Sequence, residues 1–312
     1  MTVVVPTHNR GALLTSTLRS VLAQRGVDLD VVVVDDGSTD DTAGVVNGLA
    51  DDRLRLVRHD TPRRVSEARN SGVRAATGAW VAFCDDDDVW APDKLAEQLA
   101  AASRLGRDWA YAGVVTVDEA LRPVAAPPTP TPEQVVRELP RYNAVPGGGS
   151  NVLVRRELLD RAGPFDPGLR NTEDWEMWLR LSRLEPPAVA ERRLVGYRVH
   201  PANASLDVAE ILAGVARIER RHHTRVDRGR IHRWLAESCL RQGRRAQAVR
   251  HWATAVRAGA AADVAADVAA LLRRRLPGPR EAAAPEWVRE ARAWLDPLAG
   301  AGPGAPAVTG SQ

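Results

Sequence analysis

Four consecutive aspartates, Asp85 to Asp88, follow the apolar run Trp80 to Cys84. Carboxylates set side by side repel one another, so a crevice that leaves them unneutralised raises their pKa values and loses stability. A divalent cation removes the conflict. Carboxylate and water oxygens suit Mg²⁺ or Mn²⁺, hard ions that take one or two protein carboxylates and fill their other positions with substrate phosphates. The competing reading is a solvated acidic turn that caps a helix starting near Pro92.

Two further acidic elements could work with that run. In VVVVDDGSTD, Asp35 and Asp36 end a buried strand ahead of a glycine turn and an N-cap at Ser38 or Thr39. Asp36 could accept hydrogen bonds from a base or ribose, although turn chemistry alone also favours Asp and Gly there. In TEDWEMWLRL, Glu173 and Asp174 open a helix whose apolar face carries Trp175, Trp178, Leu179 and Leu181. On residue type alone, favouring the helix dipole is the preferred explanation of those carboxylates. The other is a general base that takes a proton from a hydroxyl. Arg64, Arg69, Asn70, Arg198 and His200 add groups able to meet phosphate or, for the histidine, a metal.

The elements that must position these groups read as an α/β chain. Apolar β-branched runs at Val3–Val5, Val31–Val34, Leu54–His59 and Trp80–Cys84 alternate with helical stripes at Leu13–Gln24, Thr39–Leu49 and Ser66–Ala76. Such alternation predicts a mostly parallel sheet flanked by helices, with ligands at the carboxyl ends of the strands, where Asp35, Asp36 and Asp85 to Asp88 fall. Residues 122 to 149, rich in Pro, Ala and Gly, are expected to form a long loop with a short helix near Glu133–Leu139. A strand at Asn151–Arg155, helices at Arg156–Ala162 and Asp174–Leu184 and a strand at Leu194–His200 complete the unit. Beyond Ser205 the pattern is helical, with fifteen arginines against seven acids in residues 207 to 275.

With 312 residues and 44% hydrophobic composition the chain can bury a full core. Cys84 and Cys239 form no metal-ligand spacing, and a reducing cytosol is their simplest home. No segment has the roughly 18 uninterrupted apolar residues of a membrane span. A cytoplasmic protein is expected, with peripheral contact at the inner face of a membrane left open.

Taken in order, VVVPTHNR, VVVVDDGSTD, SEARNSGVRAATGAWVAFCDDDDVWAPDKL, GGGSNVLVRRELLDRAGPFD, TEDWEMWLRL and YRVHP resemble the family-2 glycosyltransferases of the GT-A fold, over about residues 1 to 205. The resemblance implies an inverting enzyme that moves a sugar from a nucleotide-sugar donor, a UDP-sugar, to a hydroxyl on a glycan, a lipid-linked acceptor or a small molecule. It implies donor contacts at Pro6, Thr7, His8, Arg10, Asp36, Arg69, Asp85 and Asp86, and a Mn²⁺ or Mg²⁺ ion at Asp87, with His200 completing the metal or diphosphate site. Asp174 takes the general-base position with Glu173 beside it. Gly148, Gly149, Ser150 and Trp175 are expected on the acceptor side.

The expected organisation is a catalytic domain at residues 1–205, an all-helical domain at 206–300 and a disordered tail at 301–312. The stretch HRWLAESCLRQGRRAQAVRHWATAVRAGA looks like one tetratricopeptide-type hairpin, which cannot bury its faces alone. It must pack on the catalytic domain, on neighbouring helices or on a second subunit, so a homodimer through this region is one expectation. Two other functions fit parts of the pattern. A sugar-phosphate nucleotidyltransferase also uses paired carboxylates and a metal, but would carry a Gly-rich basic loop after strand one, which Thr7 to Gly11 does not supply. A non-catalytic arginine-rich scaffold would bind anionic partners. Nucleic acid is not an expected partner.

Overall fold

The structure, a computed structural model, describes residues 1–200, 207–273 and 284–299. It opens with β1 (Thr2–Thr7), α1 (Gly11–Leu22), β2 (Asp30–Asp35), α2 (Thr42–Gly48), β3 (Leu54–Arg58), α3 (Arg64–Ala75) and β4 (Trp80–Phe83). The valine runs of β1 and β2 are buried on both faces, as central parallel strands are. These four strands lie in the order β3-β2-β1-β4, all parallel, with Thr7 opposite Asp35. The parallel winding therefore brings Thr7, Asp35 and the start of the aspartate run to one edge of the sheet. Helix α3 lies so close to β1 that a Cβ on Gly72 would stand 2.2 Å from a methyl of Val4.

The second half of the sheet is mixed. It uses β5 (Val89–Trp90), α4 (Lys94–Leu105), β6 (Trp109–Val117), β7 (Pro123–Ala125), α5 (Pro132–Glu138), β8 (Leu153–Arg155), α6 (Arg156–Ala162), α7 (Glu173–Leu184) and β9 (Ala188–Arg198). The strand order continues β8-β6-β9-β5, with β7 on β6; only the β6–β9 pair in this half is parallel. Strand β6 is the longest addition to the sequence reading, which assigned nothing to WAYAGVVTV. The proline-rich stretch is shorter of loop than expected: Thr131 and Gln134 cap α5 reciprocally, and β7 joins the sheet. Asn151, expected in a strand, instead uses its buried amide to bind Ala112 N (2.8 Å), Ala112 O (2.7 Å) and Pro146 O (2.8 Å).

Five helices follow: α8 (Val208–His222), α9 (Arg228–Arg241), α10 (Arg245–Arg257), α11 (Ala261–Arg273) and α12 (Glu286–Ala299). Helices α8 and α9 share the main core. Ile211, Val215, Ile218, Ile231 and Leu235 pack in one cluster with Trp175, Trp178 and Leu181 of α7. Polar contacts rivet the same surfaces: Asp166 accepts from Arg217 (2.9 Å) and Arg221 (2.7 Å), and His222 meets buried Glu176 at 2.9 Å. Helices α9 and α10 follow one another and pack together, with Ala236, Ala248 and Ala255 buried and Gly243 turning at φ +72°. Helix α12 covers the far edge, placing Ala291 and Leu295 against Val89, Val115 and Val117. The expected boundary at 205/206 and the tail at 301–312 fall outside the described residues. Among the described residues no helix is long and apolar enough to cross a membrane.

Candidate active site

At the carboxyl edge of the parallel strands lies a cavity of about 420 Å³. Of the residues singled out from sequence, Pro6, Thr7, His8, Arg10, Asp36, Arg69, Asp85, Asp86, Asp87, Gly148, Gly149, Glu173 and Asp174 line it. They come from the end of β1, the end of β2, α3, the segment after β4, the turn before β8 and the start of α7. Elements far apart in sequence thus meet because strand ends and helix N-termini share one edge of the fold.

The four aspartates separate by what they touch. Asp85 accepts from Arg69 at 2.5 Å and its N–H donates to Ser150 Oγ at 2.9 Å. Asp86 and Asp87 both accept from Nη1 of Arg10, at 3.0 and 2.7 Å. Asp88 turns inward, fully buried, and accepts the backbone N–H of Arg198 at 2.8 Å. Burial pushes Asp86 up to about 7 despite Arg10, with the neighbouring Asp87 charge adding to the rise. Burial also raises Asp85, against the pull of Arg69, and raises Asp88 well above the carboxylate range. For Asp87, burial is outweighed by the His200 hydrogen bond and by Arg10, and its carboxyl is held below the ordinary value.

His200 stands behind the cavity wall with Nε2 3.0 Å from Asp87 Oδ2. Among the described residues no three His, Cys, Asp or Glu side chains cluster tightly enough to enclose a metal by themselves. The donor chemistry nonetheless fits a divalent cation. One carboxylate oxygen and one imidazole nitrogen converge, next to carboxyls that lack full compensation, and Mg²⁺ or Mn²⁺ sites draw their remaining ligands from water and phosphate.

At the end of β2 Asp36 is buried and already engaged. It accepts from the backbone N–H of Arg63 (2.8 Å) and Arg64 (2.6 Å) and from His59 Nδ1 (2.7 Å). Arg64 reaches this position at φ +76°, a strained backbone for a long side chain. His8 Nδ1 donates to the Asp36 carbonyl at 2.9 Å, which ties the end of β1 to the end of β2. Asp36 therefore shapes the wall as much as it offers an acceptor.

Arg69 is the hinge of the site's electrostatics. It is 2% exposed and donates to Asp85 at 2.5 Å and to Glu173 at 2.6 Å. One buried carboxylate, Glu173, and one partly exposed carboxylate, Asp85, offset part of the several kcal/mol that burying an ion costs. A Cβ on Gly149 would stand 2.2 Å from Arg69 Nη2, so only glycine admits this bridge. Both of its terminal nitrogens hold carboxylates in this structure.

Asp174 occupies the opposite wall. Its carboxyl accepts from its own helix at Trp175 N (2.7 Å) and from Asn143 Nδ2 (3.2 Å). Burial first, then the Glu173 charge, raise it to about 7. Ser150 and Trp175, expected on the acceptor side, do not reach the cavity. Ser150 is fully buried as the acceptor for Asp85 N–H, and Trp175 donates to Leu139 O at 2.7 Å within the core. The α7 stripe alternates too closely with its acidic N-terminus for sequence to tell the two faces apart. Tyr197, Asn171, Val65, Ala68 and Trp234 also line the cavity and were not singled out for it. Tyr197 is the first residue of the YRVHP motif, a signal that could have found it; Trp234 sits in a helix read as part of an appendage.

A twisted sheet whose parallel half ends in a carboxylate-rich cavity, faced by a helix N-terminus carrying a second acidic pair, defines a nucleotide-sugar-transferase type of α/β protein. The family model described as Glycosyl transferase family 2 matches residues 2–163, and the chain belongs to that family. It is 36% identical over 192 residues to the succinoglycan biosynthesis protein ExoO of Rhizobium meliloti, covering 56% of this chain and 53% of that protein. It is 25% identical over 183 residues to the UDP-Glc:alpha-D-GlcNAc-diphosphoundecaprenol beta-1,3-glucosyltransferase WfgD of Escherichia coli, covering 58% and 69%. The chain thus spans about half the length of the first of these relatives. Among solved structures, S. aureus TarS 1–349 in complex with UDP-GlcNAc superposes with a TM-score of 0.56 at 19% identity, over 83% of this chain and 72% of that one. The complex of the same protein with UDP gives 0.54 at 21% identity, over 76% and 70%. At this identity the likeness is one of fold.

Proposed function

We propose that the chain is an inverting glycosyltransferase that moves a sugar from a UDP-sugar to an acceptor hydroxyl in a single displacement. The observation that carries the reading is Asp174, a carboxyl poised near pH 7, facing across one cavity the strand-end carboxylates Asp85 to Asp87. As base, Asp174 takes the proton of the acceptor hydroxyl while that oxygen bonds the anomeric carbon and the bond from that carbon to the diphosphate oxygen breaks. Attack from the side opposite the leaving group inverts the configuration.

Pro6, Thr7, His8 and Asp36 form the pocket for the nucleoside. Asp85, fixed by Arg69 and Ser150, is held toward the ribose and sugar. Asp87 and His200 are the residues that would hold Mn²⁺ or Mg²⁺. Such an ion, when bound, stabilises the charge that develops on the departing diphosphate. UDP as the nucleotide is supported by the UDP-glucose named for one relative and by the UDP and UDP-GlcNAc complexes of TarS. The acceptors named among relatives include a lipid diphosphate sugar; a glycan, a lipid-linked sugar or a small molecule remains the acceptor class proposed here. The free, buried Cys84 and Cys239 support a reducing compartment, hence the cytoplasm.

The test is release of UDP from a panel of UDP-sugars, with and without an acceptor mixture, in Mn²⁺, Mg²⁺ or excess EDTA. Turnover with a cation and its loss in EDTA are expected. Full turnover in EDTA overturns the metal role, and no binding of any nucleoside diphosphate overturns the donor site.

A further inference from the structure

Helix α9 does more than buttress the fold. Its first turns dock on the segment just after α5: Asp227 N–H donates to Arg141 O at 2.8 Å, Arg230 donates to Glu138 at 2.9 Å, and its guanidinium lies 5.6 Å from the centre of the Tyr142 ring. The next residue along, Asn143, is the one that donates to Asp174 at 3.2 Å. One helical turn beyond Arg230, on the same face, Trp234 reaches the cavity and lines it. Ile231 and Leu235, its neighbours on α9, are buried in the main core, and the indole itself packs against that core. Trp234 is therefore half-buried, held against the core, and part of the wall of the cavity that Asp174 also lines.

A fixed, partly exposed indole in a cavity that also presents carboxylates and Asn171 offers a large apolar face with little conformational entropy left to lose. A pyranose ring has a complementary surface: C–H groups on one face and hydroxyls around the rim. Stacked on the indole, such a ring would lie in the cavity that Asp174 also lines, where its rim hydroxyls meet polar groups. We propose that Trp234 is the platform for a pyranose ring of the acceptor, so that the C-terminal helices complete the acceptor half of the active site. The residue lies outside the span 2–163 matched by the family model. The proposal rests on the glycosyltransferase reading and adds to it the chemical class and place of the acceptor.

The experiment uses the full chain with UDP and Mg²⁺, and three glycosides as probes: methyl β-D-glucopyranoside, methyl β-D-galactopyranoside and methyl N-acetyl-α-D-glucosaminide. Saturation-transfer NMR reads which ring protons touch the protein, and calorimetry reads UDP affinity separately. For at least one glycoside, transfer strongest at the protons of a single ring face is expected, kept in Trp234→Phe and reduced at least fivefold in Trp234→Ala. UDP affinity should stay within about twofold throughout. Trp234→Phe, which preserves an aromatic ring against the core, guards against a misfolded alanine variant. No transfer from the wild-type chain to any of the three, transfer undiminished in Trp234→Ala, or a parallel loss of UDP affinity overturns the proposal. Failure of the wild-type chain to bind UDP at all instead sinks the transferase reading, and the acceptor proposal with it.

Discussion

Arg69 and Glu173 form a buried ion pair of 2.6 Å across the floor of the cavity, and the other arm of the same guanidinium holds Asp85 at 2.5 Å. One side chain from α3 thus links Asp85, at the end of β4, to the helix that carries the proposed base. Removing it leaves Glu173 uncompensated in the interior and Asp85 without its partner at the cavity wall. Arg69→Met is expected to lose about 3–5 kcal/mol of stability, the range for breaking a buried pair by taking one partner. Urea unfolding measures it; a change below about 1 kcal/mol would show that the bridge is not a structural element.

Gly149 tests the same bridge without touching its charges. A methyl group there would stand 2.2 Å from Arg69 Nη2 and 2.9 Å from Asp85 Oδ1. Gly149→Ala is expected to destabilise by about 1–3 kcal/mol, the usual cost of overpacking, and to lower turnover with UDP-sugar. Wild-type stability together with wild-type turnover would mean that the turn yields freely.

Asp174 should show itself in the pH profile. Burial and Glu173 raise it to about 7 from an ordinary 3.8, and a base works only when deprotonated. Transfer is therefore expected to rise about tenfold per pH unit up to about 7 and then level off, while Asp174→Asn loses about 10²-fold or more in kcat with donor affinity kept. Stability runs the other way. A carboxyl whose folded pKa is raised binds more protons folded than unfolded between about 4 and 7, so stability falls as pH rises through that window. At pH 8, Asp174→Asn should be the more stable protein, by on the order of 1–2 kcal/mol, and a lower melting temperature than wild type would contradict this.

Asp87 and His200 meet at 3.0 Å. If they hold the cation, Asp87→Ala should cost as much turnover as loss of the base, whereas His200→Ala should raise the Mn²⁺ concentration for half-maximal rate by about tenfold or more. Titration of activity with Mn²⁺ after EDTA treatment reads both. A His200→Ala enzyme with an unchanged Mn²⁺ requirement would remove the histidine from the site.

Helix α8 is expected to control the catalytic helix through packing. A Cβ on Gly214 would stand 2.2 Å from Thr172 Oγ1, directly before Glu173. Gly214→Val should therefore lower kcat several-fold while leaving UDP affinity nearly unchanged, as misplacing a base by a fraction of an ångström would do. Equal losses in UDP binding would point instead to general unfolding.

The sequence by itself determined the first four strands, the helices between them and the acidic edge. Valine runs buried on both faces and period-3.6 stripes are local signals, and they fix both element type and the strand end where Asp36 and Asp85 to Asp88 must lie. It also determined most of the cavity-lining set, because motif order survives folding. Only the tertiary structure decided how the four aspartates divide, since Arg10, Arg69 and the Arg198 backbone reach them from 16 to 110 residues away. It decided too that Ser150 and Trp175 face inward, because a side chain's direction depends on which neighbour fills the space beside it. Strand β6 escaped for another reason: Ala110, Ala112 and Gly113 interrupt WAYAGVVTV, which shows neither the unbroken β-branched run of β1 and β2 nor an alternation. Trp234 was hidden most completely, for nothing local in α9 says that one turn of it would close a cavity built by residues before 200.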